Sequence, residues 1–194
     1  MNRTETLQYI VKLKGFESYL ELGCKNNETF DVIDCPRKVG VDMLRGGTHR
    51  MTTDEFFSQN REKFDLIFID AFHHHDQVMT DFRNSRACLN EGGLIVMHDC
   101  NPATEEFESQ KLCGTAWRTM VRLRTYFDLD AIVGDFDHGV GIVRLVSNTD
   151  KISVSKSMDE LTYSDLEANR RDWLRLRPWE DVVMWFEREN DVSI

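Results

Sequence analysis

The sequence predicts an α/β domain: a doubly wound, mostly parallel sheet flanked by helices, continued by a helical C-terminal extension. Three observations carry that expectation. Short apolar runs of strand length alternate with stretches of helical periodicity. Two of the runs, LIFI and LIVM, are apolar without alternation, and each run ends on polar or acidic residues. Unbroken apolar strands belong to sheets buried on both faces, the situation of parallel strands joined by helical crossovers.

The strand-like runs are SYLEL (18–22), KVGVD (38–42), FDLIFID (64–70) and GGLIVMHD (92–99), with VGIVRLV (140–146) further on. Helix starts fall between them. Thr52-Thr53-Asp54-Glu55 before Phe56 reads as a capping box, and so does Ser164-Asp165-Leu166-Glu167: a hydroxyl and a carboxylate three residues on satisfy opposite orphan N–H groups. Val78, Phe82, Ser85 and Leu89 share one helical face, with Gly92-Gly93 ending the pattern. Trp179, Val182, Val183 and Phe186 form a stripe that packs a last helix on the body.

With 194 residues, 41% of them apolar, the chain has the material for one core, and its three prolines mark no linker. The expected organisation is a single domain over residues 1–194, with a core to about 150 and a helical extension over about 158–192. A formal charge of −10 repels polyphosphates and argues against coating nucleic acid. The first twenty residues lack a signal-peptide core, and no run approaches the ~18 apolar residues of a membrane span. Five scattered cysteines without a C-x-x-C pair suggest neither a disulfide framework nor a zinc ribbon, so a reducing, cytoplasmic setting is expected.

In an open parallel sheet the ligand lies beyond the carboxyl ends of the strands. Here those ends are Glu21-Leu22-Gly23-Cys24, Asp42, Asp70-Ala71-Phe72-His73 and His98-Asp99-Cys100-Asn101, which present carboxylates and imidazoles towards one rim. Gly23 permits a tight turn, but CKNNETF supplies no further glycine, so the G-x-G-x-x-G pyrophosphate cradle is missing. Asp42, ending the next strand, stands where an acidic side chain accepts ribose hydroxyls. A nucleoside without a pyrophosphate satisfies both observations, while ordinary loop-capping carboxylates are the structural alternative.

LELGC followed by VGVD, FDLIFIDAFHHHDQVMTDF and LNEGGLIVMHDCNP resembles the class I S-adenosylmethionine-dependent methyltransferases, in particular the methyltransferase type 24 family with its relatives of macrocin O-methyltransferase. GTAWRTMVRLR, DHGVGIVR and TYSDLEANRRDWL extend the likeness over nearly the whole chain. The glycine-poor first loop and Ala71, where the family usually has glycine, are departures. The resemblance implies a Rossmann-like sheet of about seven strands and S-adenosylmethionine as cofactor. By the same resemblance Glu21 and Gly23 lie beside its amino acid part, Asp42 holds the ribose, Met51, Thr52 and Thr53 border the adenine, and Asp70 sits where the methyl group meets its acceptor. The acceptor is then a hydroxyl of a small molecule or saccharide, as in glycan or natural-product biosynthesis.

Methyl transfer to a hydroxyl needs an in-line approach and a base. Histidine suits neutral pH, so His73 is the expected base, with His98 as competitor and Asp70 shaping the site. His74 and His75 are expected on the solvated surface. Asp70, Asp99 and Asn101 offer hard oxygen ligands for Mg²⁺ or another divalent cation. Three consecutive histidines project in different directions, which argues against a zinc site. The basic stretch Arg170, Arg171, Arg175 and Arg177 reads as a solvated helix face. The tryptophan-bearing C-terminal helices can pack on their own core or in a homodimer. Two rival functions are a non-catalytic nucleoside-binding domain, and a nicotinamide-dependent oxidoreductase or epimerase, which would want the absent glycine fingerprint and a Tyr-x-x-x-Lys pair.

Overall fold

The computed structural model describes residues 1–148 and 150–187. Helix α1 (Arg3–Lys14) opens on a capping box between Asn2 and Glu5 and stops at Gly15, whose φ of 64° only glycine adopts without strain. It is followed by β1 (Ser18–Leu22), β2 (Arg37–Val41), α2 (Thr53–Gln59), β3 (Phe64–Ile69), α3 (His75–Ala87), β4 (Leu89–Met97), α4 (Ala116–Leu123), β5 (Asp130–Gly134), β6 (Val140–Arg144), α5 (Tyr163–Trp173), β7 (Leu176–Arg177) and α6 (Trp179–Glu187).

The strands form one seven-stranded sheet in the order β2-β1-β3-β4-β6-β5-β7. Of the strands described, β6 alone runs against the others, pairing antiparallel with β4 and with β5. The apolar runs occupy the centre: Leu66, Ile67, Phe68 and Ile69 of β3 pair with Leu94, Ile95, Val96 and Met97 of β4. Alternate residues feed two cores. Leu20, Ile67, Ile69 and Ile95 pack under α2 to α5 with Phe82, Trp117 and Leu166. Tyr19, Leu66, Phe68 and Val96 pack under α1 and α6 with Leu7, Ile10 and Phe186. Each such side chain, fully buried, contributes ~1.5–3 kcal/mol. Burial on both faces is why these strands lack alternation.

Four expectations shift. The helical face of Val78, Phe82 and Ser85 holds, but Leu89 already belongs to β4, opposite Phe64, and Gly92 (φ 73°) and Gly93 lie inside that strand, within the register shift between Leu89 and Leu94, rather than capping the helix. The second capping box uses Thr162 and Asp165, two residues before the expected Ser164, because Thr162 is the last residue with extended backbone. No helix links β1 to β2 among the described residues: turns fill that crossover, with Lys25 (φ 49°) and Asn27 (φ 62°) in left-handed positions. The C-terminal segment is helical from Tyr163, interrupted after Trp173 by a turn and by β7, which extends the sheet beside β5, and residues 188–192 of the expected extension lie outside the described residues. As expected, the Trp179 stripe packs on the body: the Trp179 ring meets Tyr9 of α1 edge-on, centroids 5.0 Å apart.

Candidate active site

Parallel pairing brings the ends of β1, β2, β3 and β4 to one rim, and the reversed β6 sends the preceding Asp137-His138-Gly139 turn to the same rim. Two cavities of about 400 Å³ each open there. The first is lined by Arg3, Glu21, Asp70, His73, His98 and Asp99, among others, and the second by Met51, Thr52, Thr53, Phe72 and Gln77. Gly23, Asp42 and Ala71 border both. Gly23 has φ 90°, and a Cβ there would stand 2.2 Å from the Asp70 carbonyl oxygen, so only glycine lets the ends of β1 and β3 close up.

At the floor of the first cavity Asp70 and Asp99 face two imidazoles. His98 Nδ1 is 3.4 Å from Asp70 and 3.3 Å from Asp99, and its Nε2–H donates to the Asp137 carbonyl at 2.8 Å. Burial alone would depress the His98 pKa, but hydrogen bonding to Asp137, Asp70 and Asp99 outweighs it and raises it to about 11. His98 is therefore a fixed imidazolium with no lone pair to offer. Burial would likewise raise Asp70, yet the hydrogen bonds of His73 and His98 hold it at about 2. Asp137 is held low first by His98, and the Arg3 backbone N–H donates to it at 2.7 Å.

His73 differs. Its Nδ1 faces the Leu112 carbonyl, which can only accept, so Nδ1 carries the proton and Nε2 turns to Asp70 and Asp99 at 3.5 and 3.4 Å. Its pKa is raised too, the Asp70 hydrogen bond and the two carboxylate charges overcoming burial. Glu21, buried at the end of β1, accepts the Tyr19 hydroxyl at 2.5 Å; burial lifts its carboxyl to about 7 against that bond. Asp99 (φ 59°), Asp137 (φ 46°) and His138 (φ 60°) all adopt left-handed backbone at this rim, a conformation costing ~1–3 kcal/mol each that concentrates at functional sites.

The other expected residues divide. Asp42 borders both cavities, and its oxygens also accept loop N–H groups of Lys25 (2.7 Å), Leu44 (2.8 Å) and Arg45 (3.0 Å), leaving further lone pairs for a ligand. Asn101 leaves the expected metal set: its side-chain oxygen accepts from Arg170 and its amide donates to Asp135 at 3.1 Å. One donor atom each of Asp70, His73 and Asp99 lies within 4.8 Å of the others. Arg170, expected on a solvated face, also donates to the Pro102 carbonyl and to the Tyr163 hydroxyl, at 2.7 and 2.8 Å. His75 is not on the surface but 2% exposed, held by Thr115 and Asp159 at 2.9 Å each.

Sequence reasoning missed Arg3, whose guanidinium lies 3.7 Å from Asp70 and 3.4 Å from Asp137, and the Phe107, Lys111, Leu112 and Cys113 side of the cavity. Nothing local marks them. Arg3 arrives because α1 packs across the sheet with its N-terminus at the rim.

A family model described as a methyltransferase domain, the type 24 methyltransferases, matches residues 37–100. No curated protein matches the chain in sequence. Solved structures share the fold at low identity. The O-methyltransferase from Bacillus cereus in complex with SAH is 16% identical, with 73% of this chain and 78% of that one covered and a TM-score of 0.52. Cofactor-bound Rv0187 from MTB is 15% identical, covering 75% and 80%, with a TM-score of 0.61. The O-methyltransferase TomG from Streptomyces achromogenes, in complex with SAM, is 12% identical, covering 75% and 80%, with a TM-score of 0.53. The matched segment carries Asp42, Asp70, His73, His98 and Asp99, so family likeness and rim geometry fall on the same residues, and the chain shares the fold of these methyltransferase structures.

Proposed function

We propose that residues 1–194 form one S-adenosylmethionine-dependent methyltransferase domain acting on a hydroxyl of a small-molecule or saccharide acceptor. The observation that carries this reading is the His73 imidazole, fixed through Nδ1 on Leu112 with Nε2 facing the cavity floor between Asp70 and Asp99. The SAH and SAM held by the Bacillus cereus and Streptomyces achromogenes structures support the cofactor. Two adjoining cavities sharing Gly23 and Asp42 suit a ligand with a methionyl arm, a ribose and a base.

When bound, the cofactor supplies an electrophilic methyl on a sulfonium. Glu21 and Gly23 would hold its amino acid arm, Asp42 would accept from the ribose hydroxyls, and Met51, Thr52 and Thr53 would flank the adenine. A cation in the cavity disfavours a second one on His73, which shifts Nε2 towards the neutral form that accepts the hydroxyl proton. The Leu112 carbonyl orients that imidazole, Asp70 and Asp99 accept from Nε2 once it carries the proton, and the His98 imidazolium balances their charge. Asp70, His73 and Asp99 also converge closely enough to suit a divalent cation, a second reading in which His73 Nε2 would be a ligand instead of the base and the cation would polarise the acceptor oxygen. The buried, unpaired cysteines suit a reducing, cytoplasmic setting.

Calorimetric titration with S-adenosylmethionine, its demethylated product and NAD, with and without Mg²⁺, tests the reading. The first two should bind, and Asp42→Ala should weaken both. Tight binding of NAD alone would overturn the proposal. Turnover of a hydroxylated acceptor unchanged by His73→Ala and Asp70→Ala would remove the assigned roles.

A further inference from the structure

The three consecutive histidines part company at the start of α3. His73 turns into the cavity, whereas His74 keeps an extended backbone (φ −92°, ψ 131°) as the N-cap and His75 is the first helical residue. The two rings lie side by side, centroids 4.3 Å apart and planes at 26°. One donor atom each of His74, His75 and Asp76 lies within 4.8 Å of the others. We propose that these three residues, completed by Asp159, form a binding site for a borderline-soft dication such as Zn²⁺, separate from the catalytic cavity.

The spacing supports it. Donors in a tetrahedral shell with bonds of ~2.0–2.1 Å stand about 3.3 Å apart. Here His75 Nε2 lies 2.9 Å from Asp159 and 3.8 Å from Asp76, and His74 Nδ1 lies 3.7 Å from Asp76. His74 Nδ1 faces the Asp76 N–H at 3.4 Å, a long cap bond that a bound ion would displace to reach the same lone pair. His75 Nδ1 rests 2.9 Å from the Thr115 hydroxyl, an outer partner of the kind that orients a ligating imidazole.

Charge agrees with geometry. Two neutral imidazoles and two carboxylates balance a dication, and this offsets the unfavourable positive end of the α3 dipole. His75 is buried while Asp76 and Asp159 are exposed, so the site has one rigid anchor and stays open to solvent for loading. A bound ion would clamp the turn that carries His73 to the loop that carries Asp159.

The test uses the full chain, stripped with a chelator and titrated with Zn²⁺ against a chromophoric competitor, with Co²⁺ absorption reporting the coordination. One Zn²⁺ site that persists in His73→Ala is expected, with tetrahedral Co²⁺ bands, while any ion held by Asp70, His73 and Asp99 is lost in that variant. Asp159→Asn and Asp76→Asn change exposed residues and should each weaken binding at least tenfold. His73→Ala should leave it intact. Absence of Zn²⁺ binding at micromolar concentration, an octahedral Co²⁺ spectrum, or loss of binding in His73→Ala with retention in both Asp variants would overturn the site.

Discussion

Glu21 should make cofactor affinity depend on pH. Burial lifts its carboxyl to about 7, so in the free protein it is largely protonated at pH 6. A sulfonium or ammonium placed beside it favours the ionised form, and binding releases a proton. If the bound state returns Glu21 to its ordinary value of 4.5, the linkage spans 2.5 pH units, about 3 kcal/mol at ~1.4 kcal/mol per unit. Worked through both titrations, that makes S-adenosylmethionine bind about twentyfold tighter at pH 7.5 than at pH 5.5, with about 0.9 proton released per ligand at pH 6. Calorimetry in buffers of different ionisation enthalpy reads both quantities. Glu21→Gln should abolish the slope, and subtracting it removes any titration of the cofactor's own amino group. A wild-type Kd constant within twofold over that range, or an equal slope in Glu21→Gln, would refute the reasoning. The sign for stability is opposite. An acid raised above its unfolded value contributes stability below pH 4.5 that is lost as pH rises through 7, so Glu21→Gln should flatten that decline.

Gly23→Ala meets the Asp70 carbonyl at 2.2 Å from a φ of 90°, and should cost about 2–4 kcal/mol in urea denaturation; a loss below 1 kcal/mol would mean the strand ends are free to part. His73→Ala should lower kcat ~10²–10⁴-fold while leaving cofactor Kd within about twofold, measured in single-turnover and binding assays. His98→Ala leaves Asp70 and Asp99 without their buried cation and should destabilise by about 3–5 kcal/mol. Because the His98 pKa is raised to about 11, its contribution is full below pH 6.5 and lost on rising towards 11, so wild-type and variant stability curves should converge at high pH. Thr162→Ala should cost ~1 kcal/mol and Ser164→Ala close to nothing, since the cap bond runs from the Asp165 N–H to Thr162.

Much of the framework was legible because it is written in short-range patterns. An apolar run such as LIFI needs no partner to declare that both of its faces will be covered, and Thr52 and Glu55 form their box within one helical turn. Where competing local signals coexist, the pattern misleads. Leu89 has helical spacing from Phe82 and Ser85, yet it pairs with Phe64, because strand hydrogen bonding across β3 and β4 outweighs one more residue of helix. Thr162 and Ser164 both offer a hydroxyl ahead of a carboxylate, and the backbone turning helical at Tyr163 selected the first.

The sequence by itself determined the α/β class, the polar strand ends and the absence of a pyrophosphate cradle, since each depends on residues adjacent in the chain. Only the tertiary structure decided what those ends do. It captured Asn101 with Arg170, turned His98 into a cation by surrounding it with Asp70, Asp99 and Asp137, and left His73 as the imidazole whose Nε2 faces the cavity floor. It also carried Arg3 from the first turn of α1 to Asp70, and buried His75 between Thr115 and Asp159. The reason is electrostatic: a side chain's charge and availability are set by neighbours within a few ångströms, and in a folded sheet those neighbours come from distant parts of the chain.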